Sequence, residues 1–172
     1  MAGNAYLFRM PLGISGAVTR LRDLTTEPAT LDPTKVFTKY GLAGKYDGEK
    51  LVPLEDGDTV DLVVGFLVRP YPTHSPEDRE FLGVTVGTGA DVLKRGYFST
   101  AVPSAQASAA VKNGKVYVRV AGATDASPLG SLVLTPDATA ANTPELTIAK
   151  VMGPGDNAAG TGLGHVEIAY NI

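Results

Sequence analysis

The chain has no cysteine and no tryptophan, and histidine occurs only at positions 74 and 165. Without cysteine there are no disulfides and no thiolate metal sites, and the redox compartment is left undetermined. Aromatic residues are only 7% of the sequence, so Val, Leu and Ala must fill most of the core that a 44% hydrophobic content allows. Concentrated positive charge is missing as well. The net charge is −3, the isoelectric point is near 5.3, and Arg20, Arg22, Lys94, Arg95, Lys112 and Lys115 are scattered along the chain. Nucleic-acid binding wants a concentrated basic surface, so no nucleic-acid partner is expected. Long helical runs are absent too, because twenty glycines and twelve prolines punctuate the whole length. Between Met1 and Val18, Arg9, Pro11 and three glycines interrupt the apolar residues. That is neither a signal peptide nor a membrane span, and no membrane partner is expected.

What is present is β patterning, and the 172 residues suit one domain. In the closing segment, Val166, Ile168, Tyr170 and Ile172 fall on one face with the period of a half-buried strand. Asp47-Gly48 and Asn113-Gly114 are hairpin turn signals. Val60 to Val68 is the most apolar run and reads as a central strand buried on both faces, with Gly65 marking a bulge or a close approach. Further strands are expected at Val36–Tyr40, Phe81–Val86, Val92–Phe98, Val116–Val120, Leu132–Leu134 and Leu146–Val151, and a loop or one helical turn at Ala101–Ala110. About nine or ten short strands at this spacing predict a single compact all-β sandwich or barrel over residues 36–172. Residues 1–35 carry few large apolar side chains and read as an extended N-terminal arm, the alternative being strands tied onto the barrel. The expected core runs through Val60, Leu62, Val64, Phe66, Val118, Val120, Ile148, Val166 and Ile168.

No catalytic set emerges. His74 lies in a proline-flanked loop, His165 opens the last strand, and there is no Gly-x-Ser-x-Gly elbow. Asp56, Asp58 and Asp61, with Glu55, are acidic but lack the twelve-position calcium pattern, so turn acids are the expected reading. Gly87-Thr88-Gly89 and Gly160-Thr161-Gly162 are followed by strand-like sequence, which leaves no helix N-terminus to hold a pyrophosphate. No catalytic residue, cofactor or metal is expected. Arg69 beside Tyr71, and Arg95 beside Tyr97, place cations next to aromatics at sheet edges, a combination favoured at protein interfaces. Arg9, Arg20 and Arg22 are the polar contacts an arm would offer. These seven residues form the candidate partner-binding set.

The order of several segments carries a resemblance. Ala5-Tyr6-Leu7-Phe8-Arg9-Met10-Pro11 precedes Gly65-Phe66-Leu67-Val68-Arg69-Pro70-Tyr71-Pro72, then Asp91-Val92-Leu93-Lys94-Arg95-Gly96-Tyr97, Gly114-Lys115-Val116-Tyr117-Val118-Arg119-Val120 and Val166-Glu167-Ile168-Ala169-Tyr170-Asn171-Ile172. Together they resemble the structural cement, or capsid decoration, proteins of tailed bacteriophages. The resemblance implies a jelly-roll or tulip-like β fold and a non-enzymatic role. It implies a protein made in the host cytoplasm that binds the outer capsid surface of the expanded virion. There it would bridge subunits of its partner, the major capsid protein, as a homo-oligomer (trimer or dimer) and hold the head against internal DNA pressure. A carbohydrate- or receptor-binding β-sandwich on the virion surface is the alternative. It would want exposed aromatics clustered on one face, whereas the seven tyrosines are dispersed.

Overall fold

In a computed structural model of the chain, residues 12, 14–69, 89–157 and 162–172 are described. Ten strands appear among them: β1 Val18–Leu31, β2 Ala43–Asp47, β3 Lys50–Pro53, β4 Gly65–Val68, β5 Gly89–Pro103, β6 Tyr117–Val118, β7 Leu132–Val133, β8 Ala149–Val151, β9 Asp156–Asn157 and β10 Leu163–Tyr170. One short helix, α1 Ser104–Ser108, follows β5 directly. The fold is all-β.

The main sheet runs β1-β3-β2-β4-β5-β10-β8, with β9 on β10, and β1 also pairs with β5. That extra pairing closes β1, β3, β2, β4 and β5 into a small barrel. The second half of β5 leaves the barrel and continues into a ladder with β10, from Leu163 opposite Pro103 to Tyr170 opposite Gly96. The β2–β3 hairpin turns through Gly48 and Glu49 as its sequence predicts, with Gly48 at a positive φ and Asp47 opposite Lys50.

Two apolar clusters result. The smaller fills the barrel with Leu31, Phe37, Leu42, Leu51, Leu67 and Val92. The larger joins β4, β5, β8 and β10 to β6, β7 and α1, and includes Phe66, Phe98, Val118, Leu132, Val166, Ile168 and Tyr170. Strand β4 serves both: Leu67 points into the barrel, while Phe66 and Val68 point into the larger cluster. It is therefore buried on both faces, as its continuous apolar run requires. Gly65 is a close approach, since a Cβ there would meet the Leu93 carbonyl oxygen and press Val92 Cγ1 at 2.7 Å.

Several expectations are corrected. The apolar run is strand only over Gly65–Val68; Val60–Leu62 is a single 3₁₀ turn, and Leu62 is exposed. Ile148 is exposed as well, because the strand in its neighbourhood begins at Ala149. Ile172 lies beyond β10 and is also exposed. Residues 36–40 are irregular chain, not a strand, and of them Phe37 is buried in the barrel core with Tyr40 packed against it. Asn113 does turn the chain with φ of 64°, but residues 109–111, where one hairpin arm is expected, form no strand, and β6 pairs with β7 instead. The expected strand at 81–86 lies outside the described residues. Residues 18–31 are extended, as an arm would be, yet they are built into the barrel through β5 and, at Thr30 and Leu31, through β3.

Candidate protein interface

Four of the seven candidate residues meet at one irregularity. The β1–β5 ladder pairs Arg20 with Tyr97 and next pairs Thr25 with Arg95, so residues 21–24 bulge opposite Gly96 alone. Asp23 takes a left-handed φ of 62° inside the bulge, a conformation that Asp tolerates better than most residues. The bulge throws its side chains outward: Leu21 is 61% exposed, and the Arg22 side chain is 92% exposed, with a 3.6 Å contact to Asp23. Leu24 turns back onto the larger core. Bulges of this kind re-aim side chains beside functional surfaces.

Arg20 is the anchored member. Its Nε and Nη2 donate to Glu167 Oε1 and Oε2 at 2.8 and 2.6 Å, a bidentate pair, and its guanidinium stacks 4.6 Å from the Tyr97 ring centre. Thr19 donates to the same carboxylate at 2.7 Å. The hydrogen bond to Glu167 holds the Arg20 pKa above its ordinary value. Arg95 is exposed on the side of β5 that also carries Tyr97. Lys94, its neighbour, leaves the opposite face, ion-pairs Glu27 at 3.0 Å and lies over the Tyr46 ring. The patch around the bulge thus holds one neutralised and two outward arginines beside an aromatic ring.

Arg69 lies elsewhere, where the loop at 15–17 crosses the sheet. Gly16 N–H donates to the Ser99 carbonyl and Arg69 N–H to the Gly16 carbonyl, both at 2.8 Å. Ser15 Oγ donates to the Tyr40 carbonyl at 2.9 Å. The backbones are so close that a Cβ on Gly16 would overlap Tyr40 Cβ. Against this frame the Arg69 guanidinium stacks 4.6 Å from the Tyr40 ring centre, and its Nε donates to the Ser15 carbonyl at 3.1 Å. Burial pushes its pKa below the ordinary value. Arg9 and Tyr71 lie outside the described residues, so the ring expected beside Arg69 is supplied here by Tyr40. Nothing in the sequence marks Tyr40, Ser15 or Glu167 as partners, since each meets its arginine only through long-range pairing.

Glu55, Asp56 and Asp58 are turn acids, as expected, and Asp61 lies in the 3₁₀ turn that follows. Glu55 and Asp58 hold Lys45 at 2.9 and 2.8 Å, and Asp56 accepts from the Gly122 N–H. Among the described residues no group of acids and histidines could hold a metal ion. His165 lies mid-ladder between Ala101 and Asp156, and burial lowers its pKa. The depression between β1 and the β2–β3 hairpin, about 460 Å³, is an open groove lined by Glu27, Thr30, Tyr46 and Glu49.

A family model described as XM1 gp53 minor capsid protein matches residues 3–170. Among solved structures, a chain from the capsid of Myoviridae phage XM1 aligns with 99% of this chain and 98% of its own length. Its TM-score is 0.63 at 16% identity, so this likeness bears on the fold. No curated protein matches.

Proposed function

This chain belongs to the XM1 gp53 minor capsid protein family, a family of phage capsid-associated structural proteins, and from that premise we propose that it is a cement protein. It binds the outer surface of the expanded shell, bridges neighbouring major capsid subunits and holds the head against the pressure of packaged DNA. Its role is structural, not catalytic. The observation that carries this reading is the family match over nearly the whole chain, which takes in both cores and the bulged patch. Binding only the assembled shell stabilises that state by mass action. Modest contacts suffice when an oligomer engages several subunits at once. A dimer or trimer would also cover the edge of β1, which among the described residues is unpaired away from β5 between Val18 and Ala29.

Arg20, Arg22, Arg95 and Tyr97 form the contact surface in this reading. Co-sedimentation with empty expanded and unexpanded shells tests it. Wild-type protein is expected to pellet with expanded shells, and an Arg22→Ala/Arg95→Ala variant to bind about tenfold more weakly with an unchanged melting midpoint. Equal binding by the variant would move the contact off this patch, and a wild type that pellets with neither shell would end the cement reading.

A further inference from the structure

Two arginines in this protein are buried to the same degree, each 7% exposed, and they are treated in opposite ways. Arg119 is answered on Nε and Nη1, by a carboxylate among others. Its Nη1 donates to Asp137 Oδ2 at 2.9 Å and to the Gly122 carbonyl at 2.8 Å, and its Nε donates to Ser127 Oγ at 2.9 Å. Arg69 has one carbonyl on Nε and one aromatic face, and among the described residues no carboxylate within ion-pair distance. Its two terminal nitrogens make no hydrogen bond there, and they are not sealed from solvent, since among the described residues Ser99 Oγ is the one fully buried side-chain polar atom left without a partner.

An uncompensated guanidinium in a poorly solvated position is costly, and protein interiors seldom keep one without a carboxylate. Among the described residues no neighbour meets that cost with a carboxylate. The frame, by contrast, is rigid: the Ser15–Gly16 turn is locked against Tyr40 and Ser99, so the guanidinium plane is fixed before any partner arrives. A planar fork with free terminal N–H groups matches a carboxylate and matches little else on a protein surface as well.

We propose that Arg69 is a receptor for a carboxylate side chain of the capsid protein on which this chain docks. The inference rests on the cement reading and gives that contact one defined polar anchor, separate from the bulged patch.

The test compares Arg69→Met, Arg69→Lys and Arg119→Met by melting and by co-sedimentation with shells lacking this protein. Arg69→Met is expected to melt at or above the wild-type midpoint, because removing an unanswered charge relieves the free protein. Its affinity for shells should fall at least tenfold. Arg69→Lys, which keeps the charge but loses the fork, should bind between the two. Arg119→Met should lower the midpoint, because it strands Asp137. If wild type binds shells and Arg69→Met binds equally, the inference is wrong while the cement reading stands. If wild type does not bind, that reading fails and takes this one with it. If Arg69→Met and Arg69→Lys both melt well below wild type, Arg69 is a structural cation like Arg119 and the inference is overturned.

Discussion

The two apolar clusters share β4 and β5 but are held in different ways. Among the described residues the barrel has six buried side chains and is closed on one side only by β1, whose contact with β3 is two residue pairs. Of that strand's fourteen residues only Leu31 is buried. The larger cluster collects nineteen buried residues around the β5–β10 ladder, yet much of its cover is irregular chain, since β6 and β7 are two residues each. One core is thus well fenced and small, and the other is large and loosely roofed. Apolar volume and regular hydrogen bonding need not coincide in one fold.

The strongest way to break this comparison is to remove the strand that closes the barrel. Deleting residues 2–30 is expected to abolish the cooperative melt seen by circular dichroism, because β5 then loses its partner from Gly89 to Phe98. A truncated protein that still melts cooperatively would show that residues 18–30 are a dispensable arm after all. Phe66→Ala comes next. Its ring centre lies 4.8 Å from that of Phe98 and 4.9 Å, edge-on, from that of Tyr170, so truncation opens the larger core at its middle. A loss of about 3–5 kcal/mol in denaturant unfolding is expected. Leu51→Ala, the matching truncation in the barrel, should cost about 2–3 kcal/mol, the lower part of the range for such changes. It should also speed hydrogen exchange in β2 and β3 more than in β10, and uniform acceleration would mean that the two cores open as one.

Acid gives the smallest effect and sharpens the comparison by order. The folded-state pKa of His165, in the β10 ladder, is depressed by burial. It therefore contributes stability above its unfolded value near 6.5, and that contribution is lost as pH falls through the folded value. The carboxyls of Asp32 and Glu55, near the barrel, are depressed by hydrogen bonds, from Thr34 on Asp32 and from Lys45 on Glu55. Their contribution is present above about pH 4 and is lost below it. A melting midpoint followed from pH 7 to pH 3 should decline in two stages, with the first removed by His165→Gln. A single stage below about pH 4 in the wild type would exclude the histidine.

What the sequence made legible follows side-chain burial. Val166, Ile168 and Tyr170 alternate because one face of β10 is core, and β4 reads as continuous because both of its faces are. Strand β1 was hidden for the opposite reason: outside its bulge it is held by main-chain pairing with β5, and between Thr19 and Pro28 most side chains other than Leu24 face solvent, so no periodicity marks them. Val60–Leu62 misled because its apolar residues follow an acidic turn and only partly reach the core. Of the candidate interface, the arginines were visible as residue types beside aromatics. Their grouping was not, since the bulge that gathers Arg20, Arg22 and Arg95 exists only once β1 lies on β5. Arg69 was visible too, but that it has no counter-charge among the described residues is a property of three-dimensional neighbours.

Strand β5 is also a mechanical part. Ladder hydrogen bonds run across the strands, so a pull along β5 loads its pairs with β10 in shear, and they must fail together. A pull that lifts β1 from its edge instead opens pairs one after another, like a zip, starting at the bulge where the register is already broken. The molecule consequently has a stiff axis along β5 and a compliant one across β1. Tension entering along the stiff axis passes from the barrel half of β5 to the half that β10 pairs through one continuous backbone, with no loop between the two to stretch.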